Sequence, residues 1–241
     1  MKKTLLVAFL LIATNAFSQW SIVTPPASTG NLYSVYAIDP LAVAIAGDNK
    51  VIRSIDAGAT WTAPLTVTGA YFTEVHSPEP TRWYALTSNT TWFMRLGNPT
   101  GLTASNGKPD SILSLHFLSA ACGIAVGYAG KIEATCDSGA TWQLRSSGTI
   151  NNLNAIWFAD NDTGCTCGAN GTMVRTVNAG LTWDTISVPT TVTLNAIHFP
   201  TPQVGYAAGN AGTVLKSTDA GATWSTVATG VPNALNGVFF L

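Results

Sequence analysis

Charge is what this sequence has least of. Only 10 % of its 241 residues are Asp, Glu, Lys or Arg, and 11 basic against 12 acidic side chains leave a net charge of −1. An average soluble domain carries roughly 25 % charged residues. Glu occurs only at Glu74, Glu79 and Glu133. So little Glu, Lys and Arg excludes a coiled coil. A hydrophobic content of 46 % excludes a disordered chain, which needs high charge and little apolar surface. Without a basic stripe to neutralise phosphates, a nucleic-acid binder is excluded as well. Long hydrophobic runs are also lacking, with one exception. Residues 4–14, LLVAFLLIA at their heart, follow Lys2 and Lys3 and precede an Ala16-Phe17-Ser18 cleavage pattern. That run is too short to span a bilayer well and reads as a secretory signal peptide, 1–18. The mature protein, with no membrane span, is expected in the periplasm, at the cell surface or outside the cell.

What the chain does have is a period. One octapeptide recurs as SIDAGATW at 54–61, TCDSGATW at 135–142, TVNAGLTW at 176–183 and STDAGATW at 217–224. The steps are 81, 41 and 41 residues, so a decayed copy is expected near Arg95 and 97–100. An apolar stretch opens each unit: LYSVYAI at Leu32, FTEVHS at Phe72, ILSLHF at Ile112, LNAIWF at Leu153, LNAIHF at Leu194 and LNGVFF at Leu235. A small-residue stretch and a tight turn follow, such as GYAG at Gly127, GANG at Gly168 and GNAG at Gly209. Trp20 keeps the beat, 41 residues before Trp61.

Each unit therefore holds four short strands, here A (LNAIWF type), B (GYAAG type), C (GTVLKS type) and D (from the Trp onward). Four antiparallel strands per ~40 residues are the signature of a β-propeller blade, and no 3.6-residue periodicity favours a helical solenoid. The fold class is all-β: a β-propeller over 19–241, with blades at 32–71, 72–111, 112–152, 153–193 and 194–234. Residues 20–31 and 235–241 would supply part of a sixth blade, as expected of a truncated sequence.

The octapeptide resembles the Asp-box, or bacterial neuraminidase repeat, S/T-x-D-x-G-x-T-W. It is read as the hairpin between strands C and D. Its structural residues are Asp56, Gly58 and Trp61; Asp137, Gly139 and Trp142; Asn178, Gly180 and Trp183; and Asp219, Gly221 and Trp224. The Asp carboxylate accepts backbone N–H groups of its own turn, Gly takes a conformation that a Cβ obstructs, and Trp is expected to bury its ring beside the next sheet. The whole pattern, L-x-x-I-x-F…G-x-A-x-G…T-x-D-A-G-x-T-W, resembles the photosynthesis system II assembly and stability factor-like repeat family, over nearly all of 20–241. That resemblance implies a non-catalytic propeller that binds partner proteins during photosystem assembly through an arginine-rich surface. The arginines here are Arg53, Arg82, Arg95, Arg145 and Arg175, and Arg53, Arg175 and Lys216 share a column of strand C.

The alternative function is a carbohydrate-active enzyme or glycan-binding protein, since sialidases also carry Asp-boxes. A sialidase needs three converging arginines, a Tyr nucleophile with a Glu partner, and an acid/base carboxyl. The Arg-Ile-Pro signature for the first arginine is missing, and other glycosidases need two facing carboxylates. His76, His116 and His198 share a strand A column with Tyr36, Trp157 and Phe239, which reads either as a three-histidine metal site or as a common aromatic position narrowing the axial channel. Asp160-Asn161-Asp162 reads either as a Ca²⁺ loop or as a polar turn. No cofactor or metal is assigned. Cys122 and Cys136 face each other if the turn sits at Tyr128-Ala129, because paired positions then sum to about 258, so a disulfide is allowed in an exported protein. Cys165 and Cys167 read as buried thiols.

Binding is expected at the rim that carries the B–C tips and the D–A connections, opposite the Asp-boxes. Its candidate residues are Asp48, Asn49, Lys50, Asn89, Asn106, Lys108, Tyr128, Asn170 and Asn210. Their mixed chemistry suits a protein or a glycan partner.

Overall fold

Residues 41 apart take the same place in successive sheets. This is the organisation of the computed structural model, which describes residues 30–62, 65–79, 82–87, 93–96, 102–105 and 111–240. The expected signal segment, Trp20, Asn89, 97–100, Asn106 and Lys108 lie outside the described residues.

The chain is an all-β propeller. The first sheet runs β1 (Leu32–Ala37), β2 (Val43–Ser54), β3 (Leu65–Glu79), β4 (Arg82–Thr87), β5 (Phe93–Leu96) and β6 (Leu102–Ser105). The second holds β7 (Ile112–Phe117), β8 (Gly123–Gly127), β9 (Ile132–Thr135) and β10 (Gln143–Arg145). The third holds β11 (Leu153–Phe158), β12 (Gly164–Gly168), β13 (Met173–Thr176) and β14 (Asp184–Ile186). The fourth holds β15 (Leu194–His198), β16 (Gly205–Gly209), β17 (Val214–Ser217) and β18 (Ser225–Val227). Strands pair antiparallel in chain order within each sheet. The inner strands stand side by side: β3 against β7, β7 against β11, β11 against β15.

The sheets number four among the described residues, because the segments expected as blades 32–71 and 72–111 share one. β3 runs without a break from strand D of the first repeat into strand A of the second, pairing Leu65 with Val51 and then Phe72 with Thr87. The later repeats interrupt this passage with a turn, as at Gly148. Here Gly69 adopts φ +81° inside the strand and its N–H donates to Asn49 Oδ1 at 2.6 Å.

The core lies between sheets. Ile124, Val126 and Ile132 of the second sheet meet Leu153, Ile156, Phe158 and Trp183 of the third. Cys165, Cys167 and Met173 of the third meet Leu194, Phe199, Leu215 and Trp224 of the fourth. The box tryptophans thus pack on the preceding sheet, not on the next one. Strand A of the same repeat completes each pocket, with Phe158 edge-on to Trp183 and Phe199 edge-on to Trp224. Trp183 and Trp224 are buried and Trp142 half-buried. Trp61, with no preceding sheet among the described residues, is also only half-buried.

The octapeptide closes by hydrogen bonds. In the second box Asp137 Oδ1 accepts Thr135 Oγ1–H at 2.8 Å and Thr141 N–H at 2.9 Å, while Oδ2 accepts Thr141 Oγ1–H at 2.6 Å. Asp219 repeats the set with Ser217 and Thr223, and Asp56 with Ser54 and Thr60. In the third box the Asn178 amide donates to Thr182 Oγ1. The residue after the acid and the Gly both have positive φ, as at Ser138 (62°) and Gly139 (83°), and Trp Nε1–H donates to the Gly carbonyl in the last three boxes. The hydroxyl and amide donors of Thr141 and Thr223 hold Asp137 and Asp219 down at about 2. A carboxylate depressed in the fold stabilises it fully above about pH 4, and that contribution is lost as the pH falls towards about 2. Asn178→Asp gives the third box a titrating group. Its melting temperature is expected to drop further than that of the parent chain between about pH 7 and about pH 2.5, and that of Asp219→Asn less far. Equal drops in all three would show that the box carboxylates are not coupled to folding.

Cys122 and Cys136 are joined in a disulfide with Cα atoms 3.9 Å apart, opposite each other in the β8–β9 register. Cys165 and Cys167 are free and buried, and burial pushes the Cys165 thiol up to about 12.

Candidate functional site

The two rims of the disc are built differently. At one, the A–B loops receive the Asp-boxes: Ser138 N–H donates to Ala121 O, Ala179 N–H to Asp162 O and Ala220 N–H to Gln203 O. At the other, the B–C tips receive the D–A connections: Tyr128 N–H donates to Ser111 O, Ala169 N–H to Asn152 O and Asn210 N–H to Thr193 O. The Asp160 loop belongs to the first rim. Its Oδ1 accepts the N–H groups of Asp162 and Thr163, so this carboxylate closes its own polar turn. No group of three or more His, Cys, Asp or Glu is placed to hold a metal ion among the described residues.

The sequence-expected binding residues divide at the second rim. Tyr128, Asn170 and Asn210 are exposed at the tips, each on a different sheet. Asn170 donates to Asn151 Oδ1, and Asn210 Oδ1 accepts from Asn195 Nδ2. Asp48 Oδ2 accepts Asn31 N–H, which ties the first tip to the segment before β1. Lys50 is not a rim residue. It is 7 % exposed, because β2 continues through the tip as one strand and draws Lys50 into pairing with Thr66.

The rim is deepened at the second sheet. A groove of about 800 Å³ lies between the Tyr128–Gly130 turn, strand β10 and residues 146–150. Tyr128 is 50 % exposed, Leu144 69 % and Ile150 87 %. Lys131 and Arg145 are the charged side chains of its lining, Lys131 being paired with Glu133 at 3.9 Å. Tyr128 is one of the residues the sequence singles out; Leu144 on strand β10 and Ile150 in the D–A connection are not, although both are exposed apolar side chains.

On the axis the A strands enclose a cavity of about 740 Å³. The shared aromatic column becomes a belt of touching rings. Centroids are 4.6 Å apart from Tyr36 to His76, 4.3 Å to His116, 5.0 Å to Trp157, 4.5 Å to His198 and 4.6 Å to Phe239. Burial holds the histidines neutral: His76 falls well below its ordinary value, His116 to about 3 and His198 to about 4. Glu74, one level away on β3, accepts Leu115 N–H at 2.8 Å and Ser114 Oγ–H at 3.0 Å across the sheet boundary. It is half-buried at the cavity it lines and is pushed up to about 7 by desolvation. Its column otherwise reads Ser34, Ser114, Ala155, Ala196 and Gly237. A glutamate in that column was the missed signal.

With this geometry the chain is similar in fold to YCF48. A structure of YCF48 bound to D1 peptide matches with a TM-score of 0.47 and 17 % identity, over 84 % of this chain and 83 % of that one. YCF48 from Cyanidioschyzon merolae matches with a TM-score of 0.47 and 16 % identity, over 88 % of this chain and 89 % of that one. No family model matches the sequence, and no curated protein does.

Three of the described arginine side chains are held separately. Arg82 donates to Ala120 O and pairs with Glu79, Arg175 donates to Ala220 O, and Arg145 donates to Gln143 Oε1. In the strand C column, Lys216 lies 5.5 Å from the Tyr206 ring centroid.

Proposed function

We propose that the chain is an exported, non-catalytic β-propeller that holds a partner protein at its B–C rim, as an assembly scaffold does. The observation that carries this reading is the groove beside Tyr128. It combines exposed apolar side chains with Arg145, whose hydrogen-bond partners are neutral, and with the Glu133-paired Lys131, a chemistry suited to an apolar segment flanked by Asp or Glu. Export is supported by the 1–18 pattern and by the Cys122–Cys136 bond, since disulfides persist in oxidising compartments.

The test is site-specific photocrosslinking of the full chain in the cells that make it. A photoreactive residue at Ile150 is expected to give a discrete protein adduct. Arg145→Glu is expected to cut its yield roughly tenfold, as a loss of ~1.4 kcal/mol would. The same probe at Asp160, on the opposite rim, serves as the control. Adducts no stronger at Ile150 than at Asp160, or unaffected by the charge reversal, would overturn the proposal.

A further inference from the structure

The axial cavity has chemistry the rim reading does not use. Its volume of about 740 Å³ lies within the ~300–1,000 Å³ of small-molecule sites. No Lys or Arg lines it, and Glu74 is its one acidic residue. The small column-mates of Glu74 leave open the level at which its carboxylate sits, and the belt of rings bounds the next level. His76 Nδ1 accepts Phe117 N–H at 3.3 Å, and its Nε2 is sealed from the cavity by burial, so Glu74 is the ionisable group the cavity offers.

We infer that this cavity binds a small organic monocation whose ammonium group meets Glu74 and whose body lies against the aromatic belt. An anion would face an uncompensated carboxylate. A neutral hydrocarbon would leave the polar groups unmatched. Rings such as Tyr36, Trp157 and Phe239 favour a cation near their faces. The titratable groups around Glu74 are Tyr36 on β1, His76 on its own strand, His116 on β7 and His198 on β15. Burial moves the tyrosine up to about 12, His116 down to about 3, His198 down to about 4 and His76 well below its ordinary value. Between pH 6 and 8, therefore, only Glu74 changes charge in this lining. Its carboxyl ionises near 7, so a ligand that requires the carboxylate gains about tenfold in affinity across that interval.

The experiment is calorimetric titration of the full chain with cyclohexylamine and cyclohexanol. The amine is expected to bind tighter and to gain about tenfold in affinity from pH 6 to 8, with proton release at the lower pH. Glu74→Gln keeps an acceptor for Leu115 N–H and is expected to abolish the pH dependence. The pH slope and proton release of the parent chain test the idea even if the variant fails to fold. No binding at millimolar concentration, a flat pH profile, or equal affinity of the amine and the alcohol would overturn it.

Discussion

Trp224→Ala is expected to cost about 3–5 kcal/mol and to lower the melting temperature by roughly 6–20 °C. The indole is 8 % exposed and fills the space between the third and fourth sheets, in one cluster with Cys165, Cys167 and Met173 of the third. It stands edge-on to Phe199, ring centroids 5.9 Å apart, and its Nε1–H donates to Gly221 O at 3.1 Å. Truncation thus opens a cavity at an inter-sheet contact and removes a bond that closes the box turn. Trp61→Ala is the internal comparison. Trp61 occupies the same repeat position, but it is half-buried, and its indole nitrogen is buried with no partner. Its loss is expected to cost about 1 kcal/mol, the range of an ordinary substitution. Denaturant titration of the two variants separates the cases. Equal losses would show that the indole stabilises its own turn rather than the contact with the preceding sheet.

That contrast also marks what repetition in a sequence reveals. A period of 41 fixes which residues are equivalent, so the strands, the Asp-box bonds and the aromatic column were legible from spacing alone. The Cys122–Cys136 pairing was legible too, because an antiparallel hairpin with a known turn has a constant sum of paired numbers, and Gly123 opposite Thr135 keeps it. A period does not say on which side the neighbouring unit lies, so the tryptophans were expected to pack forwards and instead pack back. Nor does it say where two units merge. The fused β3 runs through a passage, Trp61 to Phe72, of the same length as Trp142 to Leu153 and Trp183 to Leu194, so spacing does not mark it.

Exposure at the candidate site was harder to read. Lys50 looks like a tip residue in sequence but is carried inward by a strand that does not stop. Leu144 and Ile150 look like core in sequence, but Leu144 stands exposed on the outer strand of a sheet and Ile150 in the connection after it. Glu74 was visible only as one of three glutamates. Its significance comes from five small residues on other strands, which empty the level around it, and from the amide of Leu115 reaching across the sheet boundary.

Gly168→Ala tests the other structural joint, the clamp between a B–C tip and a D–A connection. Gly168 has φ −170°, extended backbone open to any residue, so its requirement is space rather than conformation. A Cβ there would overlap the carbonyl oxygen of Asn152 and come within 2.9 Å of Leu153 Cα. The chain has to part at the point where Ala169 N–H donates to Asn152 O, and fully buried Leu153 is dragged with it. Overpacking against backbone, which cannot rotate away, is expected to cost about 3 kcal/mol and to lower the melting temperature by roughly 6–12 °C. Gly148→Ala inverts the case. Gly148 has φ +71°, but its added methyl meets only Thr185 Cγ2 at 3.6 Å, so the penalty is that of a left-handed alanine, about 1–2 kcal/mol. The same close approach recurs at Gly127 against Ser111 and at Gly209 against Thr193, so alanine at either position is expected to destabilise as Gly168→Ala does. A Gly168→Ala chain that melts with the parent would mean that tip and connection move apart freely, and the rim groove, whose walls are the equivalent tip and connection of the second sheet, would then have no fixed shape to offer a partner.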